Sequence, residues 1–132
     1  MKFLLAQINP VVGDLKGNAK KILCTASKAS SASADLVLTP ELSLWGYPPK
    51  DLLLKSNYFQ LQNDLLSEIS FQINNKSPKL KLLIGIPEQI NDKQIPNLFN
   101  SIVLIENKNW KVIARKQLLP SYDVFDEARY FR

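Results

Sequence analysis

The chain has 132 residues, of which 45% are hydrophobic and 22% are charged, and its formal net charge is +5. One cysteine and no histidine exclude an internal disulfide framework, zinc or haem ligation by histidine and cysteine clusters, and any catalytic triad that needs a histidine base. The length suits a single domain with one hydrophobic core, and the lone cysteine is typical of a reducing, cytoplasmic compartment.

The positive charge does not indicate a protein that binds nucleic acid. Most of the lysines stand singly along the chain, and no basic stripe is interleaved with aromatic residues, which is typical of a solvated surface. No apolar run approaches the length of a membrane span, and the apolar start ends at Asn9 and Pro10. That start predicts a first strand and not a signal peptide. We therefore expect neither nucleic acid nor a membrane as a partner.

In the first half of the chain, short apolar runs alternate with amphipathic segments. Residues 2–8 and 34–40 predict buried strands. Amphipathic helices are expected from Asp14 or Asn18 to Ala32 and over residues 58–73, with a short helical turn over 51–54. The segment between the second strand and this turn is rich in proline and aromatic residues, which predicts a loop.

The second half of the chain contains three strand candidates and an irregular tail. The strands are predicted over residues 80–86, 100–106 and 110–116, and the last two flank Asn107-Lys108-Asn109 as an antiparallel hairpin. Residues 117–132 show no period. The order β-α-β-α-β-β-β predicts an α/β sheet with helices on one face. Because two of the strands are apolar on both sides, we expect a second layer to cover the other face.

Two charged residues stand out because each follows an apolar strand. Glu41 comes after the strand over 34–40 and precedes Trp45, Tyr47 and two prolines, which predicts a carboxylate enclosed by apolar rings that can act as a general base. Lys116 ends the last strand. Loops at strand ends are the usual place for active sites in open α/β sheets. At this point both residues are equally compatible with ordinary charges on the rim of the sheet.

Three segments of the chain resemble a known family. They are AQINPVVGDLKGN, TPELSLWGYPPKDLL and KQLLPSYDVFDEARYFR, and together they resemble the glutaminase domain of glutamine-dependent NAD synthetases, a branch of the nitrilase (carbon–nitrogen hydrolase) superfamily. The resemblance covers the whole chain. It implies a nitrilase-type α-β-β-α sandwich, of which residues 1–132 would form about the first half, with no synthetase domain present.

The resemblance also implies roles for six residues. Glu41 would be the general base, Lys116 would stabilise the oxyanion, and Glu127 would help to hold the lysine and the substrate. The residues expected to contact or enclose the substrate, glutamine, are Tyr122, Tyr47 and Phe125. No metal is implied in this domain.

The nucleophile of the family is a cysteine on a later strand, and the resemblance places it downstream of Lys116. Cys24 falls between Lys20 and Lys28 on the polar face of the first helix, so we expect it to be an incidental surface residue. The 132 residues alone are therefore expected to be inactive. ATP, magnesium and deamido-NAD would belong to the missing synthetase domain, and the full-length parent would be a homo-oligomer.

Two other interpretations remain open at this point. The chain could be part of a free-standing nitrilase-type amidase that acts on a different small amide. It could also be a non-catalytic partner subunit that completes a split domain.

Overall fold

Five strands form one mixed sheet in the computed structural model, which describes residues 1–132. The strands are β1 (Phe3–Leu5), β2 (Leu36–Leu38), β3 (Lys81–Gln89), β4 (Leu98–Glu106) and β5 (Asn109–Arg115). The helices are α1 (Leu15–Ser31) and α2 (Ser56–Lys76), with short 3₁₀ helices at Lys50–Leu54 and Glu127–Arg129. The predicted order of strands and helices is confirmed.

The order of strands in the sheet follows the chain, β1-β2-β3-β4-β5. The first three strands are parallel, and the last three are antiparallel. The predicted hairpin is confirmed, with Glu106 paired to Asn109. Its two turn residues, Asn107 and Lys108, have φ values of 52° and 62°, and positive φ at both positions is what a type I′ turn requires.

The bounds of the strands differ from the predictions in one systematic way. The strands β1 and β2, which pair only in parallel, have three residues each, because the register between them includes only three pairs of residues. In contrast, β3 and β4 are longer than predicted, since their antiparallel pairing continues from Leu82 with Ile105 to Gln89 with Leu98.

The hydrophobic core lies between the sheet and the two helices. One row of neighbouring residues across the sheet, Val37, Leu82 and Ile105, is buried on the helical side. The helix α1 contributes Ile22, and α2 contributes Ile69. At the start of α1, the side chain of Asp14 caps the helix by accepting a hydrogen bond from the Gly17 amide at 2.9 Å.

The opposite side of the sheet is uncovered. We define the open face by four neighbouring leucines in register across β1 to β4, namely Leu5, Leu38, Leu83 and Leu104. Leu5 is 69% exposed and Leu38 is 38% exposed. The prediction that helices cover one face only is confirmed, and the fold is one sheet with its helices. Neither helix is long and apolar enough to cross a lipid bilayer.

Candidate active site

The loop that follows β2 carries Glu41 and lies against β3. The backbone N–H and the hydroxyl of Thr39 both contact the carbonyl of Leu83, at 3.0 and 3.1 Å, and the Thr39 hydroxyl lies 2.6 Å from that of Ser43. Leu42 is fully buried and has a φ of 47°. A leucine rarely adopts this left-handed conformation, because its side chain then crowds the backbone. The loop is therefore held in a strained conformation next to Glu41.

Gly85 of β3 allows this close approach. A Cβ atom at this position would lie 2.5 Å from the Leu42 nitrogen and 2.8 Å from the Pro40 oxygen. Backbone atoms cannot yield as a flexible side chain can, so any other residue at position 85 must displace the loop. The position of Glu41 thus depends on a glycine in the neighbouring strand.

The expectation that aromatic rings enclose Glu41 is wrong. Trp45 is fully buried in the core, where it packs against Tyr58 and Phe59, and its indole N–H donates to Gln62 Oε1 at 2.6 Å. The side chain of Glu41 is 44% exposed. Trp45 anchors the loop from the core side, while Glu41 points to the edge of the open face.

Lys116 connects the two predicted carboxylates. Its backbone N–H donates to the carbonyl of Asn100 at 2.8 Å, which continues the pairing of β5 with β4. Its Nζ atom donates to Glu41 Oε1 at 2.8 Å and to both oxygens of Glu127, Oε2 at 3.0 Å and Oε1 at 3.2 Å. The structure therefore brings together the three residues for which the resemblance implied catalytic roles.

This cluster has one cation and two carboxylates, and its members differ in exposure. The side chain of Glu127 is 5% exposed and that of Lys116 is 31% exposed. Burial acts to lower the pKa of Lys116, but the hydrogen bonds to Glu41 and Glu127 outweigh it, and the pKa lies above its ordinary value. The ammonium is thus held in its charged form at neutral pH.

Two neutral donors complete the cluster. The side-chain amide of Asn100, a residue of β4 that is 5% exposed, donates to Glu41 Oε1. The hydroxyl of Tyr47 donates to Glu127 Oε1 at 2.8 Å. Burial, together with this hydrogen bond and the charge of Glu127, raises the pKa of Tyr47. Sequence patterns did not indicate Asn100, because an asparagine inside an apolar strand carries no motif of its own.

The remaining predicted residues form an aromatic row that leads away from the cluster. The ring of Phe125 lies 6.3 Å from that of Tyr47 and 5.7 Å from that of Tyr122, measured between ring centroids. Tyr122 is 71% exposed. The three rings are therefore contiguous, and the hydroxyl of Tyr122 makes no hydrogen bond with Glu41 or Lys116.

A cavity of about 360 Å³ lies between Glu41, Lys116 and the open face. Its polar lining includes Asn100, Ser101 and Arg115. A second cavity of about 180 Å³ lies on the other side of Glu127, against Tyr47 and Tyr130. Cys24 is exposed on α1 and lines neither cavity.

Comparison with known proteins places this arrangement in a family. Residues 5–131 match the carbon-nitrogen hydrolase model. The chain belongs to this family. It is 45% identical over 130 residues to a glutamine-dependent NAD(+) synthetase of Synechocystis sp., a match that covers 96% of this chain and 23% of that protein. The chain is therefore homologous to the N-terminal, glutaminase part of such synthetases and spans about a quarter of their length.

Solved structures agree with this assignment. The structure of glutamine-dependent NAD+ synthetase from Acinetobacter baumannii superimposes with a TM-score of 0.84 at 32% identity, over 98% of this chain and 23% of that one. An amidase from Nesterenkonia sp. superimposes with a TM-score of 0.76 at 24% identity, over 100% of this chain and 47% of that one. The second match shows the shared fold alone. The sheet and its helices are thus part of a carbon-nitrogen hydrolase domain.

Proposed function

We propose that residues 1–132 supply the general base and the oxyanion-stabilising lysine of a glutamine-hydrolysing site in a glutamine-dependent NAD synthetase. The observation that supports this most directly is the contact of Lys116 Nζ with Glu41 at 2.8 Å and with Glu127 at 3.0 Å. Hydrolysis of an amide needs a nucleophile, a base to activate it, and a donor where negative charge develops. The cluster contains the second and the third of these.

In the proposed reaction, Glu41 takes the proton from a cysteine thiol, and the thiolate attacks the side-chain amide carbon of glutamine. The Lys116 ammonium stabilises the negative charge that develops on the amide oxygen. Glu41 returns the proton to the leaving nitrogen, ammonia departs, and a thioester remains. Glu41 then activates a water molecule that attacks the thioester, which releases glutamate and restores the thiol.

We assign the thiol to a residue outside these 132. Cys24 is exposed on α1 and lines neither cavity beside the cluster, whereas Glu41 and Lys116 both line the larger cavity. The open face continues from that cavity, and a second sheet packed on it would bring a further strand beside Glu41. The 132 residues alone are accordingly expected to be inactive.

The other predicted roles complete the proposal. Glu127, held by Tyr47, keeps Lys116 in place, and Tyr47, Phe125 and Tyr122 form the wall along which glutamine binds. ATP, magnesium and deamido-NAD are assigned to residues outside 1–132, where the released ammonia is used. We further propose a cytoplasmic protein that is a homo-oligomer in its full-length form.

The synthetase is preferred to a free-standing amidase because its structure matches more closely, at 32% against 24% identity. The substrate itself distinguishes the two. A synthetase site hydrolyses glutamine in preference to a simple amide such as propionamide, and the reverse preference would favour the amidase. A non-catalytic partner subunit would show no hydrolysis of either amide in any combination.

The experiment that tests the proposal is a fusion in which residues 1–132 replace the matching N-terminal part of the Synechocystis relative. We expect the fusion to release glutamate from glutamine, and the 132 residues alone to release none. Glu41→Gln in the fusion is expected to lower kcat by about 10²- to 10⁴-fold, the contribution typical of a general base. A folded fusion without activity would contradict the proposal, and activity of the 132 residues alone would contradict the assignment of the thiol.

A further inference from the structure

Asn100 contacts both partners of the proposed base–lysine pair. Its side chain, 5% exposed, donates through Nδ2 to Glu41 Oε1. Its backbone carbonyl accepts the N–H of Lys116 at 2.8 Å. A single residue of β4 therefore holds the carboxylate carried by the loop after β2 and the lysine at the end of β5.

The two oxygens of Glu41 are in different situations. Oε1 accepts hydrogen bonds from Asn100 Nδ2 and from Lys116 Nζ, the latter at 2.8 Å. No donor of the chain contacts Oε2, and the side chain as a whole is 44% exposed beside the larger cavity. Oε2 is thus the oxygen that is open to a group entering this cavity.

We propose that Asn100 is a positioning residue that occupies Oε1 of Glu41 and so leaves Oε2 as the oxygen that accepts the proton. This inference rests on the proposed function of Glu41 as the base. A neutral amide suits this role because it fixes the carboxylate without adding a second positive charge.

Other charged and titratable groups also face Glu41. Lys116 contacts it directly, Glu127 lies beyond that ammonium, and the hydroxyl of Tyr47 is directed to Glu127. Arg115 lines the same cavity but is paired with Glu88 through two hydrogen bonds of 2.7 and 2.8 Å. A change at position 100 leaves all four groups in place, so a difference in kcat between the two proteins reports on Asn100.

The first test is Asn100→Leu in the fusion described above. Leucine has nearly the same shape, and its backbone carbonyl still accepts the Lys116 N–H, so only the side-chain donor is lost. We expect kcat to fall by about 10- to 100-fold with KM changed less than about threefold, because a misplaced base slows the chemical step more than binding.

The matched control is Ile105→Val, a change in the same strand on the helical side of the sheet, where Ile105 is buried. It lowers the melting temperature without contacting Glu41, so kcat per folded molecule stays as in the parent. If Asn100→Leu behaves like this control, Asn100 has only a structural role and the proposal is overturned.

The second test needs no turnover. In crystal structures of the parent fusion and the Asn100→Leu variant, we expect the carboxylate of Glu41 to rotate in the variant, so that Oε2 is no longer the oxygen that faces the larger cavity. An unchanged Glu41 would overturn the proposal. If the parent fusion releases no glutamate, the proposed function fails, and this comparison alone decides whether Asn100 positions Glu41.

Discussion

Lys116 carries the only positive charge in contact with Glu41 and Glu127, which makes it the residue on which the cluster depends most. Glu127 is nearly buried, and a buried carboxylate without a counterion is strongly destabilising. The hydroxyl of Tyr47 and the amide of Asn100 supply hydrogen bonds but no charge. Removal of the lysine therefore affects stability and the proposed chemistry together.

We expect Lys116→Met to lower the free energy of unfolding by about 2–3 kcal/mol, since the methionine leaves Glu127 buried without its counterion and the lysine itself is partly exposed. The double variant Lys116→Met/Glu127→Gln is expected to recover most of this loss, because a neutral amide needs no counterion. Urea unfolding of the two variants measures the difference.

The same pair of variants separates stability from function. In the fusion, both variants are expected to lack glutaminase activity, since neither retains an ammonium to stabilise the oxyanion. Recovery of glutamate release in the double variant would show that Lys116 serves only to balance the charge of Glu127.

The raised pKa of Tyr47 makes the stability of the protein depend on pH in the alkaline range. The folded-state pKa values of Tyr47, Lys116 and Tyr130 all lie above the ordinary values of about 10 to 10.4. Above pH 10 the unfolded chain loses protons that the folded chain keeps, so the stabilisation present below this pH is lost as the pH rises. We expect the free energy of unfolding to fall between pH 9 and 11, and to fall less steeply in Tyr47→Phe.

At neutral pH, Tyr47→Phe is expected to cost about 1.5–3 kcal/mol, the value of a hydrogen bond to a charged group. Denaturant titrations at pH 7, 9, 10 and 11 measure both effects. Tyr122→Phe is the matched control, since Tyr122 is exposed and its hydroxyl makes no hydrogen bond within the chain. If the free energy of unfolding falls equally steeply with pH in the wild-type protein and in Tyr47→Phe, Tyr47 does not contribute to the pH dependence and the prediction is wrong.

Individual residues were predicted with uneven success. Glu41 and Lys116 stand out in the sequence because each charge follows an apolar run, and the structure brings them into contact, while their catalytic roles stay predictions. Asn100 was missed because its side-chain partner, Glu41, is 59 residues away and belongs to the loop after β2. The prediction that Trp45 helps to enclose Glu41 was wrong, because residues that are close together in a loop can point to opposite sides of a sheet.

Among the elements, the loop after β2 shows how one strand positions the residues of another. The backbone of this loop lies so close to Gly85 that a Cβ atom at position 85 would collide with it. Leu42 of the loop has an unfavourable φ of 47°. Strain of this kind persists only where the surrounding structure over-determines it. Here the surroundings are β3 on one side and Trp45, in the core, on the other.

We expect Gly85→Ala to lower the free energy of unfolding by about 1–3 kcal/mol, the usual cost of overpacking, and to reduce kcat for glutamine in the fusion by displacing Glu41. Ile84→Val is the matched control, because Ile84 is the adjacent residue and is buried on the helical side. The control should be destabilised without loss of kcat per folded molecule. Full activity in Gly85→Ala would show that the loop moves without moving Glu41.

The elements themselves were largely predictable, because each depends on local periodicity. The hairpin over Asn107 and Lys108 was found from turn residues between two apolar runs, and both helices from their apolar stripes. The lengths of the strands were not predictable. Pairing with β4 extends β3 to Gln89 through Pro87, and such pairing depends on the register between two strands, which the local periodicity of either strand does not determine.

At the scale of the whole molecule, the open face distinguishes this chain from a self-sufficient α/β domain. Its leucines lie on the side of the sheet that no helix covers, and Leu5 and Leu38 are substantially exposed. Contiguous apolar surface of this kind marks a site of association. The need for a second layer was predictable from strands that are apolar on both sides.

We expect the 132 residues alone to self-associate through the open face, and Leu5→Gln/Leu38→Gln to shift the chain toward monomer. Sedimentation velocity over a range of concentrations measures the change. Phe71→Gln is the matched control, since Phe71 is 59% exposed on α2, the other side of the molecule. If this control dissociates the chain as well as the double variant does, the association does not use the open face.

The agreement between strand order and chain order has a consequence for biosynthesis. Because β1 to β5 are neighbours in the order in which the ribosome releases them, each new strand of the nascent chain finds its template already in place. Glu41 leaves the ribosome before Lys116, which follows 75 residues later, and Glu127 comes later still. The carboxylate therefore has no counterion while those residues are being synthesised, and the ion pair forms only after β5 has docked.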